Sequence, residues 1–228
     1  MEITKLKKTA RTAGLLYLLL AVCAAFSIAY VPSQIVVKED YQSTLKNLIS
    51  HENVFRLGIA SHLASQVVFV FLSLLLYNLL KQVNHNRARL MVVLVIIQIP
   101  IVFVAEAFNL VALLSAKGDL LNSLTSIERA DYVYFLLKLH DKTLGLLEAF
   151  WGLWLIPLGL LIYHSGIIPK IIAFLVIAGG VAYIIEFISM LLLPGLHLMV
   201  VNFTPIVYSI AEVVFIFWLL IKGVTKPS

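Results

Sequence analysis

Residues 90–115 read LMVVLVIIQIPIVFVAEAFNLVALLS, an apolar run whose one charged residue is Glu106. As a helix it is about 39 Å long at 1.5 Å per residue, enough to cross the roughly 30 Å hydrocarbon layer of a bilayer. A carboxylate at that depth costs about 2.5 kcal/mol or more unless it finds a partner, a proton or water. The stretch therefore says two things at once: the chain spans a membrane, and something polar waits inside.

Five more stretches of the same kind surround it. Spans at about 13–31, 56–80, 133–163, 170–193 and 204–222 bring the number to six. The loops between them leave no room for a separate soluble domain. The expectation is an all-α, polytopic membrane protein, a six-transmembrane-helix bundle forming one domain over residues 1–228. Composition agrees: 61% of residues are hydrophobic, 13% are charged, and the mean hydropathy is +1.01. The bilayer is the first partner to be named.

The formal net charge of +5 is distributed, not pooled. With the N-terminus inside, one side of the membrane carries Lys5, Lys7, Lys8, Arg11, Lys81, Arg87, Arg89, Lys170, Lys222 and Lys226 against Glu2 alone. The other side balances Lys38, Lys46, Arg56, Lys117, Arg129, Lys138 and Lys142 with Glu39, Asp40, Glu52, Asp119, Glu128, Asp131 and Asp141. This asymmetry predicts a multi-pass protein of the cytoplasmic (inner) membrane with both termini cytoplasmic. It is a topology signal and excludes a nucleic-acid partner.

Cys23 follows Leu20-Ala21-Val22 and several basic residues, in the manner of a lipobox. Val22 is large for that motif, and the apolar run continues to Val31, beyond a signal-peptide core of roughly 7–15 residues. Helix 1 is read as a span with packing residues only, ended by Pro32. Asp40 then starts a short helix, with Tyr41, Leu45, Leu48 and Ile49 on one face, that lies on the membrane surface or lids what is beneath.

Glu106 has three counterparts, Glu148, Glu186 and Glu212, one in each following span. Glu106 and Asn109 are three apart and share a face, as do Tyr183, Glu186 and Ser189, and as do Tyr208 and Glu212. A tyrosine hydroxyl one turn from a buried carboxylate is a natural donor, which pairs Tyr183 with Glu186 and Tyr208 with Glu212. In helix 2, His62, Gln66, Ser73 and Tyr77 form a polar stripe below Arg56. In helix 4, His140 and Asp141 stand above Glu148. Counted from the outer helix ends, the four acids lie about 11 to 18 Å deep. These residues predict one outward-opening polar cavity, with Glu186 and Glu212 its nearest pair of acids.

Three function classes follow. The first is binding or transport of a small cationic or amphiphilic molecule, or a lipid, by Arg56, His62, Gln66, Glu106, Asn109, His140, Asp141, Glu148, Tyr183, Glu186, Tyr208 and Glu212. The second is a membrane-embedded metal-dependent enzyme, or a haem protein using His62 and His140. The third is a structural or regulatory scaffold whose polar groups only fix helix register. No H-E-x-x-H spacing, glycine-rich phosphate loop or G-x-S-x-G elbow occurs, so the sequence assigns no metal ligands, no cofactor and no catalytic residue.

Four segments are less generic than apolar repeats: Ala13-Gly14-Leu15-Leu16-Tyr17-Leu18, Phe55-Arg56-Leu57-Gly58-Ile59, Pro157-Leu158-Gly159, and the turn Ile162-Tyr163-His164-Ser165-Gly166-Ile167-Ile168-Pro169-Lys170. Through them most of the chain resembles an uncharacterised family of multi-helix bacterial membrane proteins catalogued as domain of unknown function 4386. The resemblance implies a six-helix membrane fold and carries no activity with it.

Overall fold

The computed structural model describes residues 3–225; Glu2 and Lys226 of the charge count lie outside them. The described residues hold α1 (Ile3–Ala24), a π-helical turn (Ala25–Tyr30), α2 (Val31–Ile35), α3 (Tyr41–Ser50), α4 (Glu52–Leu80), α5 (His85–Lys117), α6 (Ser126–Ser165), α7 (Lys170–Leu192), α8 (Pro194–Val200) and α9 (Thr204–Ile221), with no strand among them. Six of the resulting helical stretches are long and apolar enough to cross a membrane. Their outer faces need lipid: only 28% of the apolar window in Thr204–Ile221 is buried, and Leu15, Phe71, Phe135 and Ile171 stand exposed. The chain is an all-α, multi-pass membrane protein.

The chain divides into two compact units. One comprises Leu20–Val67 and Ile99–Leu144 and contains the cavity described below. Its core joins Val31 and Ile35, Leu45 and Leu48 of α3, Phe55 of α4, Ala112 and Leu113 of α5, and Val133, Leu136 and Leu137 of α6. Helix α3 buries Leu45 and Leu48 there while Tyr41 and Ile49 stay exposed, so the short helix docks on the unit's own core. Its start is as expected: the Ser43 N–H donates to Asp40 Oδ1 at 2.9 Å. The Ser43 hydrogen bonds hold the exposed Asp40 carboxyl below the usual carboxylate range.

Pro32 does not end helix 1. The Val31 N–H bonds to Phe26 O, five residues back, and the chain stays helical to Ile35 before Val36 turns extended. Pro32 sits in the first turn of α2, directly after the π turn. The opposite wall is fixed at its ends by polar pairs. Glu52 Oε1 accepts from Arg56 Nε at 2.8 Å and from Lys117 Nζ at 2.9 Å, joining α4 to the end of α5. Thr125 and Glu128 form a capping box at the start of α6, the Thr125 N–H donating to Glu128 Oε2 at 2.8 Å and the Glu128 N–H to Thr125 Oγ1 at 3.3 Å.

The other unit comprises residues up to Leu19, Val68–Gln98 and Gly145 onward. Here Gly152 and Gly159 of α6 meet α7. A Cβ at Gly152 would lie 2.5 Å from Gly180 O, and one at Gly159 2.5 Å from Ile177 Cγ1, so the two backbones approach as closely as side chains permit. Gly166 has φ +66° and turns the chain out of α6.

Candidate functional site

Three helices of the first unit each deliver one group to a single point. Glu106 of α5 places Oε1 2.6 Å from His62 Nδ1 of α4 and 3.0 Å from His140 Nε2 of α6. Its other oxygen, Oε2, accepts from Asn109 Nδ2 at 3.0 Å, one turn along α5. All four residues are buried. Three nitrogens thus surround one carboxylate, and the desolvation of that carboxylate is offset by hydrogen bonds that its charge strengthens. Each imidazole donates to Oε1 in the tautomer that puts its proton on the facing nitrogen.

Beside this cluster lies a cavity of about 160 Å³ lined entirely by residues of the same unit. Glu106, Asn109 and His140 form its buried polar end. Lys138 and Asp141, both exposed, add charge to the lining, with Tyr134 also among it. The remaining wall is apolar: Val31, Ile35, Phe55, Ile59, Leu137 and Leu144. The π-helical turn matters here, because Ser27 and Ile28 within it and Val31 and Pro32 just after it are lining residues. A π turn inserts an extra residue and re-aims the side chains that follow, which no periodicity argument foresees.

The sequence-predicted residues divide accordingly. His62, Glu106, Asn109, His140 and Asp141 come together at the cluster and cavity. Arg56 is exposed and paired with Glu52, and Gln66 is buried with its amide donating to Ser65 Oγ at 3.1 Å; neither lines the cavity. Of the helix 2 stripe, Ser73 bonds back to Val70 O and Tyr77 meets His85, so only His62 carries the stripe into the site.

Glu148, Glu186, Glu212, Tyr183 and Tyr208 belong to the other unit and are not among the lining residues. Glu212 accepts from Tyr17 Oη at 2.9 Å and from Tyr183 Oη at 3.0 Å. This corrects the local pairing: Tyr183 serves Glu212 of α9 and not Glu186 of its own helix, and Tyr208 stacks on the Tyr183 ring at 3.8 Å. Tyr17, in the span read as packing alone, is a ligand of that carboxylate. Glu186 accepts from the Thr204 hydroxyl, and the neighbouring Ser189 meets His197 Nδ1 at 2.9 Å. Glu148 is half-buried in α6.

Sequence reading missed Tyr17, Thr204, Ser27 and Tyr134. For Tyr17 no local signal exists, since its partner is 195 residues away. Lys138, counted above only among the charges of the balanced side, is a lining residue. The haem alternative needs imidazoles on opposite faces of a porphyrin; here both contact one carboxylate oxygen, beside a cavity on the scale of the roughly 150 Å³ that accommodates benzene.

Residues 12–223 match the family described as Domain of unknown function (DUF4386). The chain belongs to this family. A 93-residue segment, 39% of this DUF4386 chain, is 37% identical to an uncharacterized protein of Archaeoglobus fulgidus and spans 54% of that relative. The match thus covers about half the length of the archaeal protein. No solved structure matches the chain.

Proposed function

We propose that the cavity of the first unit binds a small amphiphilic molecule drawn from the bilayer. The observation that carries this reading is the lining of one 160 Å³ space by the buried polar groups of Glu106, Asn109 and His140 together with apolar side chains from Val31 to Leu144. A polar head gains partners at the first, and a short apolar portion leaves lipid for the second at little net cost. The exposed Lys138 and Asp141 of the lining present both signs of charge, which suits a head with both donors and acceptors better than a bare cation.

Pentylammonium, pentanol and pentanoate, whose apolar portions match a benzene-sized cavity, titrated onto the protein in nanodiscs, test this directly. At 100 times its Kd a binder stabilises by about 2.7 kcal/mol and raises the melting temperature by several degrees. Ile59→Trp, which fills the apolar wall, is expected to abolish that shift. No shift from any of the three, or one that survives Ile59→Trp, would sink the reading.

The site faces the outer side of the membrane in this proposal. The basic excess on the N-terminal side supports that orientation, because Lys138 and Asp141 follow the loop at 118–125 on the charge-balanced side. Reporter fusions after Lys81, after Lys170 and at the C-terminus are expected to report the cytoplasm, and fusions within 118–125 the outside. The inverse pattern overturns the orientation.

A further inference from the structure

We infer that His62, Glu106 and His140 form a seat for one divalent transition-metal ion, with its open coordination position on the side of the cavity. The inference goes beyond ligand binding by the cavity and does not depend on it. Its basis is the donor set and its convergence. Two imidazole nitrogens and one carboxylate oxygen, delivered by α4, α5 and α6, lie within 4.8 Å of one another. Two imidazoles with a carboxylate suit zinc, iron(II) or cobalt(II); magnesium and calcium select all-oxygen sites.

A tetrahedral ion about 2.0 to 2.1 Å from each ligand sets ligand atoms roughly 3.4 Å apart. The two pairs involving Oε1 stand at 2.6 and 3.0 Å, so seating an ion asks each to open by less than about 1 Å. A triad held only by hydrogen bonds gains by giving each carboxylate oxygen its own imidazole. Here both imidazoles converge on Oε1, while the Asn109 amide takes Oε2. That is the layout of a metal ligand steadied from behind: Asn109 fixes the carboxylate so that one oxygen faces the imidazoles.

The number of ligands decides the kind of site. Three protein ligands leave a tetrahedral ion one position short, as in sites that bind water or a ligand, whereas purely structural zinc sites close with four. Glu106 and His140 line the cavity, so that position is reached from it. A molecule held in the cavity by its apolar portion would present its oxygen or nitrogen head to the ion. The ion would act there as a Lewis acid on that head or on a bound water.

The test uses the full chain in nanodiscs, affinity tag removed, stripped with a chelator and titrated with Co²⁺ and then with Zn²⁺. Expected are one Co²⁺ per chain, visible d–d absorption of the strength that four-coordinate cobalt shows, and its loss when Zn²⁺ displaces the cobalt. His62→Gln and His140→Gln keep size and hydrogen bonding, and each is expected to weaken Zn²⁺ binding by more than about 100-fold; Asn109→Ala weakens it about 10-fold or more. Ile59→Trp, which removes the amphiphile, leaves the metal in place, so failure of one reading is distinguishable from failure of the other.

Absence of saturable Co²⁺ binding to wild-type protein that melts cooperatively overturns the inference. So does binding that is unchanged in both histidine variants. Should those variants fail to fold, the wild-type cobalt spectrum still decides, because weak, octahedral-type absorption overturns the four-coordinate seat.

Discussion

Glu106→Ala is expected to lower the melting temperature of the purified protein on the order of 10 °C. Removing the carboxylate strands two buried imidazoles and the Asn109 amide, which all point at it from hydrogen-bonding distance. Breaking one partner out of a buried polar cluster costs about 3–5 kcal/mol, and in a chain of this size each kcal/mol moves the midpoint by about 2–4 °C. The cost should shrink when the stranded partners go as well. Glu106→Ala combined with His62→Ala and His140→Ala is therefore expected to be less destabilised than the sum of the single variants. A Glu106→Ala protein that melts within a degree or two of wild type would show that water already satisfies these groups.

The second large effect lies in the other unit. Tyr17→Phe and Tyr183→Phe each remove one of the two tyrosine donors to Glu212, each at about 2 kcal/mol, the range for hydrogen bonds to charged groups. The double variant is expected to lose more than the sum, because a carboxylate with one donor left is still partly compensated and one with none is not. Glu212→Leu in that double background should recover much of the loss, since nothing polar is then left to desolvate. Melting curves of the four proteins check all three statements. Additive tyrosine effects with no recovery by leucine would mean that Glu212 is held by something other than these two hydroxyls.

These two carboxylates show what a sequence reader meets in a membrane protein. A glutamate within an apolar run is conspicuous by itself, because the cost of burying it is large and local. Its partner is not conspicuous, because the partner is chosen by which helix faces lie against each other. His62, Glu106 and His140 sit one to a helix, 44 and 34 residues apart, and no spacing rule joins them. Where both partners lie within a turn, reading succeeded: Asn109 on Glu106 and the Asp40 cap follow from offsets of three, the spacing that the Thr125–Glu128 box also has. Where a nearby candidate existed but the helix faced another neighbour, reading erred: Tyr183 lies three residues from Glu186 and gives its hydroxyl to Glu212.

The sequence by itself determined the solvent, the number of long apolar helices and the polar residues too costly to be idle, because hydrophobic length and buried charge are set residue by residue and need no neighbour. The charge-balanced and basic loops likewise carry the proposed orientation without reference to packing. Only the tertiary structure decided that Glu106 gathers two histidines beside a cavity, while Glu186 takes the Thr204 hydroxyl and Glu212 those of Tyr17 and Tyr183. It also decided that a π turn at Ala25–Tyr30 carries helix 1 past Pro32 to line that cavity. The reason is geometric: a helix shows about 100° of rotation per residue, so its polar groups have fixed angles to one another but no fixed angle to the next helix until side chains pack between them.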